Sequence, residues 1–394
     1  MDNKYNLDLS TLSKELRLLL EIIKTESNDC IMSFKSELFT DIDWNFFLRL
    51  AFHHRVYPLI YLKLIKIDEK LIPPHVIQTL YQEYKKNTFQ MLLLCGEMEQ
   101  VSKLFSEKQI SLLFLKGPVI AADLYGDISH RPSKDIDILV PITQIERAEQ
   151  LLLNFGYERE ECTPAFMESW KWRSHHVTYF HTQKKIQIEL HWRLQPRPSN
   201  EPSFDELWGR KRVSALTKQP LYFLGKEDLF LYLISHGARH GWFRLRWLKD
   251  IDIIYRKGLN FKFNTLLKKY KNHYIVGQAM LLASQLLNTP IDDEVKKLTI
   301  RNHSKKLAQD AFFIIKEISP LHVIASTKNF KKYLSSLKSY SQKFFTILIL
   351  FYPSHVDAET LKLPKSYHFL FFLLRPFLSL WRRIRKIFMK IFKV

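Results

Sequence analysis

Asp135 and Asp137 stand one residue apart in the run DIDILV. On a β-strand that spacing points both carboxylates to one face and Ile136 and Ile138 to the other. Ahead of them an apolar run, residues 112–115, meets Lys116 and Gly117. An apolar segment at 119–125 follows with the spacing of one or two helical turns, and then a basic loop holding His130, Arg131 and Lys134. Residues 112–141 therefore read as strand, glycine turn, helix, loop, strand. Two carboxylates on one face, beside a glycine turn at a helix start, are suited to hold Mg2+ and a triphosphate together.

A bare Asp-x-Asp is a weak signal, and this chain contains two more of them. Asp41 and Asp43 precede the periodic apolar run WNFFLRLAFHH, where carboxylates serve as helix caps. Asp250 and Asp252 repeat even the preceding lysine, in KDID, but fall within one long helical pattern at 227–255. At roughly 100° per residue, positions i and i+2 of a helix lie about 200° apart and cannot grip one ion. Only the pair at 135 and 137 has a strand context.

The elements that must position that pair continue with a helix over 144–155, stopped by Gly156. After a polar, aromatic loop, residues 176–181 and 186–192 alternate in strand fashion around a turn at 182–185, which predicts an antiparallel hairpin. Ile186, Ile188, Leu190 and Trp192 share one face; Gln187, Glu189 and His191 share the other. Glu189 thus looks out of a neighbouring strand, placed to be a third metal ligand.

The chain has 394 residues, 46% of them hydrophobic, enough to bury a large core in two or three subdomains. Its 60 Lys and Arg against 40 Asp and Glu leave a charge of +20, which calls for an anionic partner or surface. Cys30, Cys95 and Cys162 are too few and too scattered for a disulfide framework, which suits a reducing compartment and a cytoplasmic location. The first 24 residues carry charges throughout and lack the clean apolar core of a targeting segment. Residues 1–109 read as a helical lead-in, with a Pro73-Pro74 break before a long helix at 76–105. Within it, His53, His54 and Arg55 read first as a helix end.

Several of these stretches resemble one family. LKG at 115–117, Tyr125, Arg131, the DIDILV strand, ELHW at 189–192, HRVYPLIY at 54–61 and SHGARHGWFRLRWLKDID at 235–252 are similar to the bacterial uncharacterised nucleotidyltransferases of the polymerase-beta-like superfamily. The resemblance implies an α+β fold, a small mixed β-sheet core at 110–195 flanked by helical regions at 1–109 and 196–355. It implies an enzyme moving a nucleoside monophosphate from an NTP such as ATP to a hydroxyl or phosphate acceptor. Asp135, Asp137 and Glu189 would be the catalytic metal ligands for Mg2+, with Mn2+ as a substitute. Lys116, Gly117, Arg131 and Ser133 would bind the nucleotide, Arg131 with a bidentate fork and Lys116 as a point charge. His191, His236, His240 and Arg246 would be further substrate contacts. Pro118 stands where the wider superfamily has a second small residue at the turn, removing one N–H from phosphate binding. Two alternatives stay open: a phosphotransferase using the same metal site, and a non-catalytic nucleotide- or RNA-binding protein.

The acceptor has no code in the sequence. The last 39 or so residues, 356–394, form a basic tail with no acid after Glu359. The apolar run at 367–374 is too short to span a bilayer of about 30 Å. After Pro376, residues Leu380, Trp381, Ile384, Ile387, Phe388 and Ile391 form one stripe at helical spacing with basic residues opposite. That pattern fits an anionic membrane surface reached through 377–394, or docking of the stripe on the protein's own helices; nucleic acid fits less well. The matching location is cytoplasmic, peripheral to the inner face of the membrane.

Overall fold

The structure, a computed structural model, describes residues 7–24, 36–160, 171, 174–259, 262–270 and 273–391. Among them a seven-stranded mixed sheet runs in the order β3-β4-β5-β2-β1-β7-β6. Its strands are β1 Leu113–Phe114, β2 Asp135–Leu139, β3 Glu158–Arg159, β4 His176–His181, β5 Ile186–His191, β6 Arg212–Ser214 and β7 Leu221–Phe223. With helices before and after the sheet, the fold is the expected α+β. The predicted hairpin is β4 and β5, antiparallel with His176 opposite His191. β5 then lies parallel to β2, in a register that sets Asp135 against Gln187 and Asp137 against Glu189.

Alternation divides the two faces as the sequence implies. Ile136, Ile138, Ile188 and Leu190 are buried on the back, and the 34-residue helix Pro74–Glu107 packs against β2 and β7. It starts directly after Pro73, because proline fits the first helical turn, where no N–H is needed. Between β1 and the helix Pro118–Tyr125, Gly117 holds φ at 93°, a conformation that a side chain disfavours, so the glycine turn is a backbone requirement.

Three features differ from the sequence reading. The pattern at 227–255 is two helices, Lys226–Arg239 and Leu245–Arg256. Gly241 and Trp242 both have positive φ between them, and the Trp242 ring folds back so closely that a Cβ on Gly237 would lie 2.5 Å from it. Strands β6 and β7 extend the sheet beyond the proline-rich stretch at 195–202; each has three residues, too short for alternation to show. In the tail, the helix Phe371–Ile391 runs through Pro376 and does not start after it. Cys95 is buried with its thiol pushed up to about 11 by burial and Glu99; Cys30 and Cys162 lie outside the described residues.

Candidate active site

The front face of the sheet collects the chemistry. Asp137 is fully buried at the centre of β2, with Glu189 beside it on β5 and His191 two residues further along the same face. His191 Nε2 lies 3.3 Å from Asp137 Oδ1 and 3.2 Å from Glu189 Oε2, bridging the two acids. The Lys116 ammonium, carried in by the end of the β1 segment, sits 2.9 Å from Asp137 Oδ1. Asp137 Oδ2 is buried and has no hydrogen-bond partner among the described residues.

The charges answer one another. Burial disfavours the Lys116 ammonium, but Asp137, Tyr232, Asp135 and Glu189 outweigh it and hold its pKa above the ordinary value. For His191, burial is likewise outweighed by hydrogen bonds with Asp137 and Glu189, so its pKa is raised. Burial pushes Glu189 up, yet the hydrogen bond and charge of His191 bring it down to about 2. Glu189 is therefore held ionised, and cations stand against both acids.

Asp135 lies two residues earlier on the same face, half-buried, with Ser133 Oγ donating to its carbonyl at 3.2 Å and 3.5 Å from its Oδ1. Among the described residues, ligand atoms within 4.8 Å of one another come from Asp137, Glu189 and His191, and from His175, His176 and His191. Asp135 belongs to neither group. The two extra histidines come from the start of the hairpin and were not singled out in the sequence. Their signal, HH opposite the ELH segment, appears only once the register pairs His176 with His191.

Arg131 corrects an expectation. It is 1% exposed, and its Nε and Nη2 bind the Asp250 carboxylate at 2.9 and 2.8 Å, while the Tyr125 hydroxyl donates to Asp250 Oδ1 at 2.8 Å. A guanidinium so committed is a buried strut between the β2 loop and the helix Leu245–Arg256, not a fork open to phosphate. Arg246 is similar: buried, it donates to the carbonyl of Pro132. His236 is buried and His240 half-buried, both packed on Trp247 with ring centroids 5.2 and 5.4 Å away.

The sequence reading also passed over a basic cluster beside Asp135. Arg55 is lowered by burial and by Arg131, with Asp135 the main favourable charge, and it makes no side-chain hydrogen bond or ion pair among the described residues. Arg244 falls to about 10 through burial and Arg55. Arg55 is also the largest cause lowering Lys134, with burial and Arg244 behind it. These cations come from three distant segments, so no sequence window shows them together, and their mutual repulsion favours an anion among them.

The profile of a family described as uncharacterised nucleotidyltransferase matches residues 40–288. No curated protein matches the chain. A solution structure of the antibiotic-resistance factor ANT(2'')-Ia is 11% identical, over 58% of this chain and 92% of that chain, with a TM-score of 0.27.

Proposed function

The chain belongs to the uncharacterised nucleotidyltransferase family and is a nucleotidyl-transferring enzyme, and on that premise we propose that it moves a nucleoside monophosphate from an NTP, ATP included, to a hydroxyl or phosphate acceptor with the help of Mg2+. The observation that carries this reading is Asp137 Oδ2, a buried carboxylate oxygen without a partner among the described residues, on an acid whose ligand atom lies within 4.8 Å of those of Glu189 and His191. Such an orphan is costly unless a ligand takes it, and a divalent cation fits the donor set. Asp135, Asp137 and Glu189 would hold it, and the imidazole of His191 beside them suits Mn2+ as a substitute. When bound, the ion offsets charge on the attacking and leaving oxygens.

The remaining groups position the nucleotide. Lys116 supplies a point charge next to Asp137, while Arg55, Lys134 and Arg244 draw the polyphosphate toward the Asp135 side. Gly117 and Ser133 border the Asp135 backbone and would meet the nucleotide there. Arg131 and Asp250 hold the loop that ends in β2. Pyrophosphate released from α-labelled ATP on adding fractions of cellular small molecules and lipids, absent with Asp137→Asn, tests the reading; release of γ-label alone would point to phosphoryl transfer instead.

The tail supports a seat on the inner face of a membrane. Arg375 and Arg382 both bind Asp357, which is 0% exposed, so the charged side of the helix Phe371–Ile391 faces the protein. Leu373, Phe377, Leu380, Ile384 and Phe388, on the opposite side, are exposed. A helix of a water-bathed protein is built the other way round. With Arg383 and Arg385 exposed at the flanks, this is an apolar face edged by cations, complementary to anionic lipid. No described helix is long and apolar enough to cross a membrane. The aromatic residues sit on the apolar face, away from the positions a base-stacking platform would use.

A further inference from the structure

Beside the carboxylates lies a cavity of about 1250 Å³ that the nucleotide reading leaves unused. Its walls include residues 193–202, the helix Lys226–Arg239 and the helix Tyr340–Phe351, with Tyr270, Tyr274, His303 and Leu334 among the other lining residues. Gln342 ties its two sides together, donating to the Pro198 carbonyl at 2.9 Å. At the inner end stand Tyr232 and Arg239, on both of which Asp137 and Glu189 act electrostatically. Arg239 donates to His175 Nε2 at 3.1 Å, and the His175 ring lies 5.5 Å from that of His191. His175 and His191 thus lead from the Arg239 end of the cavity to the acids. Arg239 has no carboxylate within ion-pair distance among the described residues, so its charge is available to an anion.

The outer end is apolar. Phe345, Leu348 and Ile349 of the helix Tyr340–Phe351 line the cavity, the first two still about half-exposed, and Phe344, Ile347 and Phe351 of the same helix are exposed as well, 44% or more. A helix apolar on both sides is one that lacks cover on its outer side in water. Tyr352, which also lines the cavity, meets Phe372 edge-on at 5.2 Å, so the wall continues onto the helix Phe371–Ile391. A cation at the inner end, an apolar length, and a mouth on the face that fits lipid describe one kind of guest.

We infer that this cavity binds the acceptor, and that the acceptor is a membrane lipid with a phosphate head and a long apolar chain. The inference rests on the nucleotidyl-transfer reading. The head would reach Arg239 and the chain would lie along Leu348 and Ile349 toward the bilayer. An anionic oxygen of the lipid phosphate attacks the α-phosphorus of the NTP and forms a new phosphoanhydride bond. The bond from that phosphorus to the oxygen bridging to the β-phosphorus breaks, and pyrophosphate leaves with the electron pair. The nucleophile carries no proton, so Glu189 and His191 need not act as its base.

Equilibrium dialysis of labelled farnesyl monophosphate against the full chain tests the inference, with inorganic phosphate and farnesol as competitors and MgATP binding measured in parallel. Saturable binding is expected that neither competitor displaces at equal concentration. Arg239→Gln, which removes the head's partner, and Ser235→Trp, which fills the cavity from its helix wall, should each weaken it at least tenfold while MgATP binding persists. No saturable binding by a protein that binds MgATP overturns the inference, as does binding that either variant leaves unchanged, or displacement by inorganic phosphate or farnesol alone. Failure of the wild type to bind MgATP would instead overturn the nucleotide reading, and the lipid result would then stand or fall by its own variants.

Discussion

Asp137 and Glu189 occupy one register position of the adjacent parallel strands β2 and β5. Neighbouring strands lie about 4.8 Å apart, so side chains at one position of one face converge without any loop having to hold them. The two acids are placed by the backbone pairing of β2 with β5. Lys116 and His191 neutralise them, which keeps two buried acids in one place.

Arg131 and Asp250 should behave as a structural pair. Removing one partner of a buried ion pair leaves a charge uncompensated, at a cost of about 3–5 kcal/mol. Arg131→Met or Asp250→Asn should lower stability by that order in urea unfolding, and the Arg131→Met/Asp250→Leu double variant should lose less than the sum. Additive losses, or folded variants of ordinary stability with only a raised KM for ATP, would return Arg131 to the nucleotide.

Arg55 and Arg244 should act on substrate instead. Either changed to Ala should raise KM for the NTP about tenfold, roughly the 1.4 kcal/mol of one charge-assisted contact. Their effect should shrink only modestly as salt rises, because both side chains are half-buried and salt screens such charges less than exposed ones. A KM unmoved in both variants would remove the polyphosphate from this side of Asp135.

Stability should fall in mild acid through His54. Its pKa is held well below the ordinary 6.5 by burial, then by His53 and Arg244, and Leu245 N–H donates to its Nδ1 at 3.3 Å. Above pH 6.5 the ring is neutral in both folded and unfolded chains and its contribution is complete. Below that value the unfolded chain takes a proton that the folded one refuses, so stability is lost by up to about 1.4 kcal/mol per pH unit. His54→Asn, which keeps an acceptor near Nδ1, should flatten unfolding curves between about pH 5 and 6.5; an unchanged slope would contradict this. His236, also depressed by burial first and then by Lys116, contributes to the slope that remains, as do His175, His176 and His240, each depressed chiefly by burial.

The outward face of the tail helix should carry membrane attachment. The full chain should float with vesicles containing phosphatidylglycerol and much less with neutral ones. Phe377→Glu/Trp381→Glu should release it without altering thermal stability, since both side chains are exposed. Equal flotation of that variant would refute the orientation argument.

The local parts of this account were legible in the sequence and the long-range parts were not. Period-2 alternation placed Asp135, Asp137, Glu189 and His191 on common strand faces, and the Gly117 turn followed from its place between strand and helix. KDID at 249–252 was rightly kept from one ion: Asp250 binds Arg131, while Asp252 pairs with Lys249 and Arg256. What it did bind was invisible, because Arg131 lies 119 residues away and a lone arginine reads the same whether it meets a carboxylate or a phosphate. The Arg55 and Arg244 cluster failed to show for the same reason. The tail's stripe was plain; which way it faced depended on Asp357, whose partners sit a helix away.

Calorimetric titration of MgATP into the full chain, beside Asp137→Asn and Glu189→Gln, tests the central claim most directly. The account predicts metal-dependent binding by the wild type, weakened at least tenfold in each variant, with the double variant little worse because both acids serve one ion. Binding that needs no metal, or that both variants keep at full strength, would contradict it and take the chemistry away from the β2 and β5 pair.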